Sequence, residues 1–453
     1  MCGALGWPGG ARAAEVQRIS LSEALARVEQ SHPDLAVGAA RIEQAQAGVA
    51  RARAGRYPSG EARAIFGIVN GATVGDVPEG LPDELAPLFS PDNANDLLND
   101  LGPFVRSMVR LDQVIYTFGK INRGIESARA GVRAREAELS REASAARLEV
   151  KRIFYGYQLA SQLDAVLGEV EGNFSEALER ARERLHEGEG DVTQSDVLKL
   201  QIAKNGFSQR RLELERQRAV SLAAFRRALG LEPGAPVAPE GDRIRAVEIG
   251  DLEELASLRE EIAGVPSIRA ATRGLEARER AVDVAKSKLW PDLFAGVLIE
   301  ANWAPRRDNV PNPYLVNQFN LVRGGPFLGI RWNLDFAMKL AALRKAEAEE
   351  AEQRAQQARA RVGVPVEIER AYRKLEEKRE ALTVARESRK AGRALSFLTA
   401  ANFRIGLGDA REILESYGLY ARATSEYYRA IFDFNVAAAE LSKALGRPVE
   451  RGL

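Results

Sequence analysis

The chain repeats itself, and any fold it adopts must accommodate two copies of one plan. HPDLAVGAARIEQAQAGVARARAGRYP, ending at Pro58, aligns without a gap on VPSIRAATRGLEARERAVDVAKSKLWP, ending at Pro291. Gly102, Pro103, Phe104, Leu111 and Asp112 recur as Gly325, Pro326, Phe327, Leu334 and Asp335. Glu149, Val150, Arg152 and Phe154 match Glu367, Ile368, Arg370 and Tyr372, and the same register carries Gly188, Gly190 and Asp191 onto Gly406, Gly408 and Asp409. Chance likeness between Ala/Arg/Glu-rich helices explains scattered matches, but not ordered blocks that include prolines and glycines.

Each copy opens on a helix-capping signal, Ser20 with Glu23 and Asp251 with Glu254. A second helix starts near Pro33 or Pro266 and stops at Tyr57-Pro58 or Trp290-Pro291, where proline forbids helical continuation. The hydrophobic period then changes from helical to alternating. In DLFAGVLIEANW, Leu293, Ala295, Val297, Ile299, Ala301 and Trp303 share one face; Asp292, Gly296, Glu300 and Asn302 share the other. Val105, Ser107, Val109 and Leu111 oppose Arg106, Met108, Arg110 and Asp112 in the same way. Alternating strands of roughly 10 residues fit a membrane β-barrel, and a half-buried soluble hairpin equally. The connections 71–101 and 304–324 are long and rich in Pro, Asn, Asp and Gly, which favours outward barrel loops. Two hairpins supply only four strands, and an open sheet cannot sit in lipid with its edge amides unpaired. Strands that span a membrane here must therefore close a barrel shared by several chains.

Long helices are expected from about Lys120 to Leu185 and Lys339 to Arg404, each on the order of 100 Å if straight. Such lengths imply coiled-coil packing, with an alanine seam at Ala348, Ala351, Ala355, Ala358 and Val362 and a second at Ile368, Ala371, Leu375, Leu382 and Ala385. Between them Gly363 and Pro365 should kink or split the helix. Shorter helices, Gln194 to Leu229 and Arg411 to Leu445, are expected to stack end to end with the helices that precede the strands.

Composition excludes several classes. Lys+Arg total 65 against Asp+Glu 64, which leaves no basic footprint for nucleic acid. No run of about 18 apolar residues offers a transmembrane helix. Cys2 is the only cysteine, so no internal disulfide forms, and nothing precedes it that could make a lipobox. The start, with the small-x-small run Ala11-Arg12-Ala13, reads as a truncated leader with the mature chain beginning near Ala14. His32 and His186 have no metal spacing around them, no Lys-Ser/Thr follows the GEGD glycines, and no nucleophile-base-acid set can be assembled. The expectation is a non-enzyme without cofactor or metal.

LSEAL at Leu21, HPDL at His32, the ARAGRYP stop, LDQVIYTFGK at Leu111 and FRIGLGDAREIL at Phe403, in this order and duplicated, resemble the TolC-like outer-membrane efflux protein family. The resemblance implies a mainly α fold with β: a homotrimer whose long coiled-coil hairpins form an α-helical barrel in the periplasm, joined to a shared 12-stranded β-barrel in outer-membrane lipid. It implies passive export of cargo delivered by an inner-membrane pump or export ATPase through a periplasmic adaptor. On this plan residues 1–19 are a residual leader or disordered start. Residues 20–230 form the first repeat (β-hairpin about 58–118, helical hairpin about 119–230), and 231–250 a linker. Residues 251–446 form the second repeat (β-hairpin about 291–337, helical hairpin about 338–446), and 447–453 a tail.

In the family, acidic residues at the hairpin tips pinch the periplasmic entrance. The match places Glu412 and Glu415 at the acidic positions of the second tip, with Asp196 at the first, whose GEGDVTQSDVL carries two extra residues. Gly408 stands where some members have a gate arginine, with Arg411 nearby. Asp191 and Asp409 complete the acidic set; as residues just after turn glycines they also serve as helix-end carboxylates that complement the dipole. Gly188, Gly190, Gly406 and Gly408 make the turns. Two other classes remain open on the residues alone. A periplasmic adaptor also has long hairpins, but normally one; a soluble coiled-coil scaffold needs neither the alternating strands nor their loops.

Overall fold

The computed structural model describes residues 16–71, 101–187, 192–250, 254–260, 262–307, 317–405 and 410–451. Cys2 and the small-x-small run, the centres of both strand-connecting loops, Asp251, the four tip glycines, Asp191 and Asp409 lie outside the described residues. The chain folds mainly as helices with a small complement of strands, in two compact units.

The helical unit comprises Met1–Gln44, Arg133–Leu275 and Gln353–Leu453. Helix α1 (Leu21–Ser31) begins where Ser20 Oγ accepts the Glu23 amide, the expected cap. His32 ends it, and α2 (Pro33–Ala54) follows. The long α3 (Lys120–Glu187) and the shorter α4 (Gln194–Ala228) make one helical pair; α7 (Phe336–Arg404) and α8 (Ala410–Leu445) make the other. A one-turn α5 (Leu255–Glu260) precedes α6 (Pro266–Ser287). The core gathers Val28, Val150, Phe154, Phe225, Ile368, Leu375 and Leu441, all buried, with Phe154 and Phe225 edge to face at 6.1 Å. The apolar spacing of α3 and α8 thus points at a shared interior rather than at solvent.

Helix ends meet as the lengths suggested. After α4, Gly230 adopts φ +66° and its α-carbon lies against the Ser31 carbonyl, while Ser31 Oγ donates to Leu229 O at 2.8 Å. After α8, Gly446 adopts φ +72° against the Pro266 ring. No other residue tolerates both the left-handed backbone and the missing space. Thus α4 ends where α2 begins, and α8 where α6 begins.

The structure adds detail at four places. The helix α7 is not split at Pro365: the missing backbone bond costs about 3 kcal/mol, and the flanking Val364 and Ile368 are anchored in the core. The seam from Ile368 through Ala371 and Leu375 to Leu382 is buried, but Ala348, Ala351, Ala355, Ala358 and Val362 are exposed. There α7 instead packs through Gln353 against Gly274 and through Gln357, whose amide donates to Thr272 Oγ1 at 3.1 Å. Residues Gln17–Ile19 of the expected leader form strand β1, paired in parallel with β4 (Val237–Pro239) of the expected linker, since Ile19 has a core site to fill. Tail residue Glu450 is buried, its carboxylate held by Lys151 Nζ at 2.7 Å and Ser442 Oγ at 2.8 Å.

The second unit, Ala45–Val132 and Glu276–Glu352, is built on a four-stranded antiparallel sheet. Its strands are β2 (Ser59–Asn70), β3 (Leu101–Tyr116), β5 (Asp292–Trp303) and β6 (Leu321–Arg331), in the order β2-β3-β5-β6. The registers Ala62↔Val109, Val109↔Ile299 and Ala295↔Leu328 align the apolar residues of all four strands on one face. Edge strands β2 and β6 have no partner on their outer sides among the described residues.

Candidate functional site

Two regions carry chemistry, one in each unit. The first is the end of the helical pairs. Val170, Phe174, Leu178 and Ala181 of α3 pack with Leu200 of α4, Phe403 of α7 and Ile413 and Tyr417 of α8. Phe174 meets Tyr417 edge to face at 5.5 Å, and Arg184 lies over the Phe403 ring while donating to its carbonyl at 2.8 Å. With Ile413, Ser416 and Tyr417 turned inward, the i, i+3 pair Glu412 and Glu415 falls on the exposed face of the first turns of α8.

Glu415 accepts from Arg411 Nε at 3.0 Å, so the three charges of this turn sum to one negative. Asp196 is placed differently. Its Oδ2 takes the Thr193 hydroxyl at 2.6 Å and the Thr193 amide at 3.1 Å, its own amide donates back to Thr193 Oγ1, and Lys199 Nζ reaches Oδ1 at 3.2 Å. This is a capping box that satisfies the orphan amides of α4. These bonds, Thr193's first, hold the Asp196 carboxyl below the usual carboxylate range. The structure therefore brings Glu412 and Glu415 onto one open face and commits Asp196 to the start of its own helix.

The second region is the sheet, whose faces invert the rule of a soluble protein. Phe66, Ile68, Val322, Leu328 and Ile330 are each more than two-thirds exposed, whereas Glu300 is 3% and Asn302 7% exposed. The opposite face carries two ion networks. Glu300 takes Arg106 Nε at 3.1 Å on one oxygen and Arg323 at 2.7 Å on the other. Asp112 takes Arg110 at 2.9 Å and Arg331 at 3.1 Å. Phe294 and Phe327 fill the gaps over Gly329 and Gly296, with Arg110 and Arg331 over their rings. These pairings join residues of three strands; the alternation placed them on one face, but the partners follow only from the register.

Where strands give way to helices, exposed Tyr57, Tyr116, Trp290 and Trp332 form an aromatic rim, and Trp303 stands at the opposite end of the apolar face. A strand of 12 residues extends roughly 40 Å, which at a tilt near 40° spans about 30 Å, the thickness of a bilayer core. No helix among the described residues is long and apolar enough to do so.

Residues 258–447 match the family described as outer membrane efflux protein. A search of curated proteins returns no match. Among solved structures the chain is similar to the outer-membrane channel OprN, at TM-score 0.71 and 20% identity over 94% of this chain and 89% of that one. It is similar to the outer membrane protein VceC of Vibrio cholerae at TM-score 0.71 and 16% identity, covering 95% and 97% of the two chains. The CmeC outer membrane channel of Campylobacter jejuni gives TM-score 0.72 and 13% identity, covering 100% and 95%. At these identities the structural likeness establishes the fold.

Proposed function

We infer that this chain, whose residues 258–447 match the outer membrane efflux protein family and whose fold is that of such channels over nearly its whole length, is one third of a passive exit conduit. The observation that carries the inference is the inverted sheet. Its apolar face is exposed, its charges are paired with one another on the other face, and both edges are open. In lipid an open edge leaves a row of amides and carbonyls unsatisfied at several kcal/mol each. Three copies of a four-stranded sheet close a barrel of twelve strands and remove every edge.

The helical hairpins of the same three copies form an α-helical barrel in the periplasm, and the exposed alanine seam of α7 supplies a face flat enough for close approach between copies. The hairpin ends are the periplasmic entrance. Three-fold symmetry turns Glu412 and Glu415 into adjacent acidic rings that attract cations, with Arg411 moderating the second ring. In sequence Asp191 and Asp409 directly follow Gly190 and Gly408, and Asp196 holds the first hairpin's cap. Cargo arrives from an inner-membrane pump or export ATPase through a periplasmic adaptor, so the conduit itself needs no catalytic group. Fractionation tests the reading: heat-modifiable trimers in the outer-membrane fraction are expected, and a soluble monomeric pool contradicts it.

A further inference from the structure

The loop end of the sheet, away from the aromatic rim, is folded over the charged face. Chain leaving β5 at Trp303 and re-entering β6 at Leu321 does not continue straight on from the strands. Phe319 meets Phe104 edge to face at 5.7 Å, and Phe104, paired with Gly67, lies on the same face as Arg106 and Arg110. The Arg306 side chain crosses Gly102, also on that face, within 2.9 Å of where a β-carbon would stand, and donates to Leu101 O at 2.7 Å. Asn302 donates to Gln318 O at 2.8 Å. Glu300 and Asn302 owe their burial to this cover as well as to the neighbouring arginines.

The fold-back is held by its own bonds. Asn320 accepts the Ala304 amide at 2.7 Å and donates to Ala304 O at 3.1 Å and Arg307 O at 2.7 Å, tying the two arms of the loop together. Arg307 lies 3.9 Å over the Phe319 ring and donates to Asn70 O at 3.0 Å. A cation at that distance from an aromatic face adds about 0.5–2 kcal/mol. Four residues of one arm and the ring of the other thus act as a rigid unit, set against the charged face and clear of the apolar one.

We propose that Phe319, Arg306 and Arg307 form a fixed collar inside the outer mouth of the pore, narrowing the exit and setting guanidinium groups on its rim. The proposal rests on the trimeric reading above, in which the charged face lines the lumen. Three copies place three aromatic rings and six guanidinium groups around one opening, an arrangement that narrows it and disfavours cations beside the guanidinium groups.

Dipolar spectroscopy on nitroxide-labelled trimers tests the placement. In a Cys2→Ala background, labels at Phe319→Cys are compared with labels at Ile299→Cys, which sits on the lipid-facing side. The collar predicts shorter label-to-label distances at 319 than at 299, and equal or longer distances overturn it. Absence of any dipolar coupling at both sites reports that no trimer forms, which overturns the trimeric reading and the collar with it. Planar-bilayer reversal potentials test the charge. An Arg306→Gln, Arg307→Gln variant shifts toward greater cation preference, while an unmoved potential overturns the role of the arginines in selectivity.

Discussion

Glu412 and Glu415 are assigned to the proposed entrance by position: the inward residues Ile413, Ser416 and Tyr417 leave them no other face of α8. A Glu412→Gln, Glu415→Gln double variant should lose cation preference in single-channel recordings without loss of trimer, because neither side chain packs in the core. Unchanged selectivity sinks the assignment. The most consequential buried charge lies elsewhere. Lys151 and Glu450 pair at 2.7 Å with side chains 6% and 0% exposed, beside a Tyr155 hydroxyl whose pKa burial pushes up. Glu450→Gln strands the ammonium and should cost about 3–5 kcal/mol in denaturant unfolding, whereas Lys151→Met with Glu450→Leu should cost far less. Equal losses would contradict the pairing. The position of Glu412 and Glu415 in the first turns of α8 was legible because the duplicated glycines framed it. Glu450 was not, since its partner is 299 residues away and a charged residue in a C-terminal segment reads as solvated. Asp196 reads as an entrance acid from its neighbours in sequence, and only the geometry of Thr193 reveals the cap.

Among the elements, the strands were the most legible, since the change from helical to alternating period at Pro58 and Pro291 is abrupt and the pleat fixes which residues share a face. The register, and with it the Glu300 and Asp112 ion networks, needed the pairing of β3 with β5 across more than 180 residues. Helix lengths followed from periodicity, but the packing of α7 did not. Alanine spacing alone cannot say whether a seam closes within a chain or between chains, and the Ala348–Val362 stretch is open within this one. Pro365 sits in a helix that continues on both sides of it, held by Val364 and Ile368. Pro365→Ala restores a backbone donor and should stabilise the folded protein by up to about 3 kcal/mol. A destabilised variant would mean that the proline sets a bend the assembly needs.

At the scale of the whole molecule, the plan is a duplicated chain that is incomplete alone. Its sheet hides charge, displays apolar residues and, among the described residues, ends in two unpaired edges, which is the signature of one segment of a shared barrel rather than of a finished domain. The central claim is that β6 of one copy pairs with β2 of the next. Within a chain these strands are three spacings apart, about 14 Å, beyond the roughly 7 Å a disulfide can bridge. In a Cys2→Ala background, one cysteine at Arg63 of β2 can be combined in turn with cysteines at Phe327, Gly329 and Arg331 of β6, and membranes oxidised. One register should yield covalent trimers that persist in denaturing gels and collapse to monomers on reduction; monomers at every register, from protein folded in the membrane, would contradict the shared barrel.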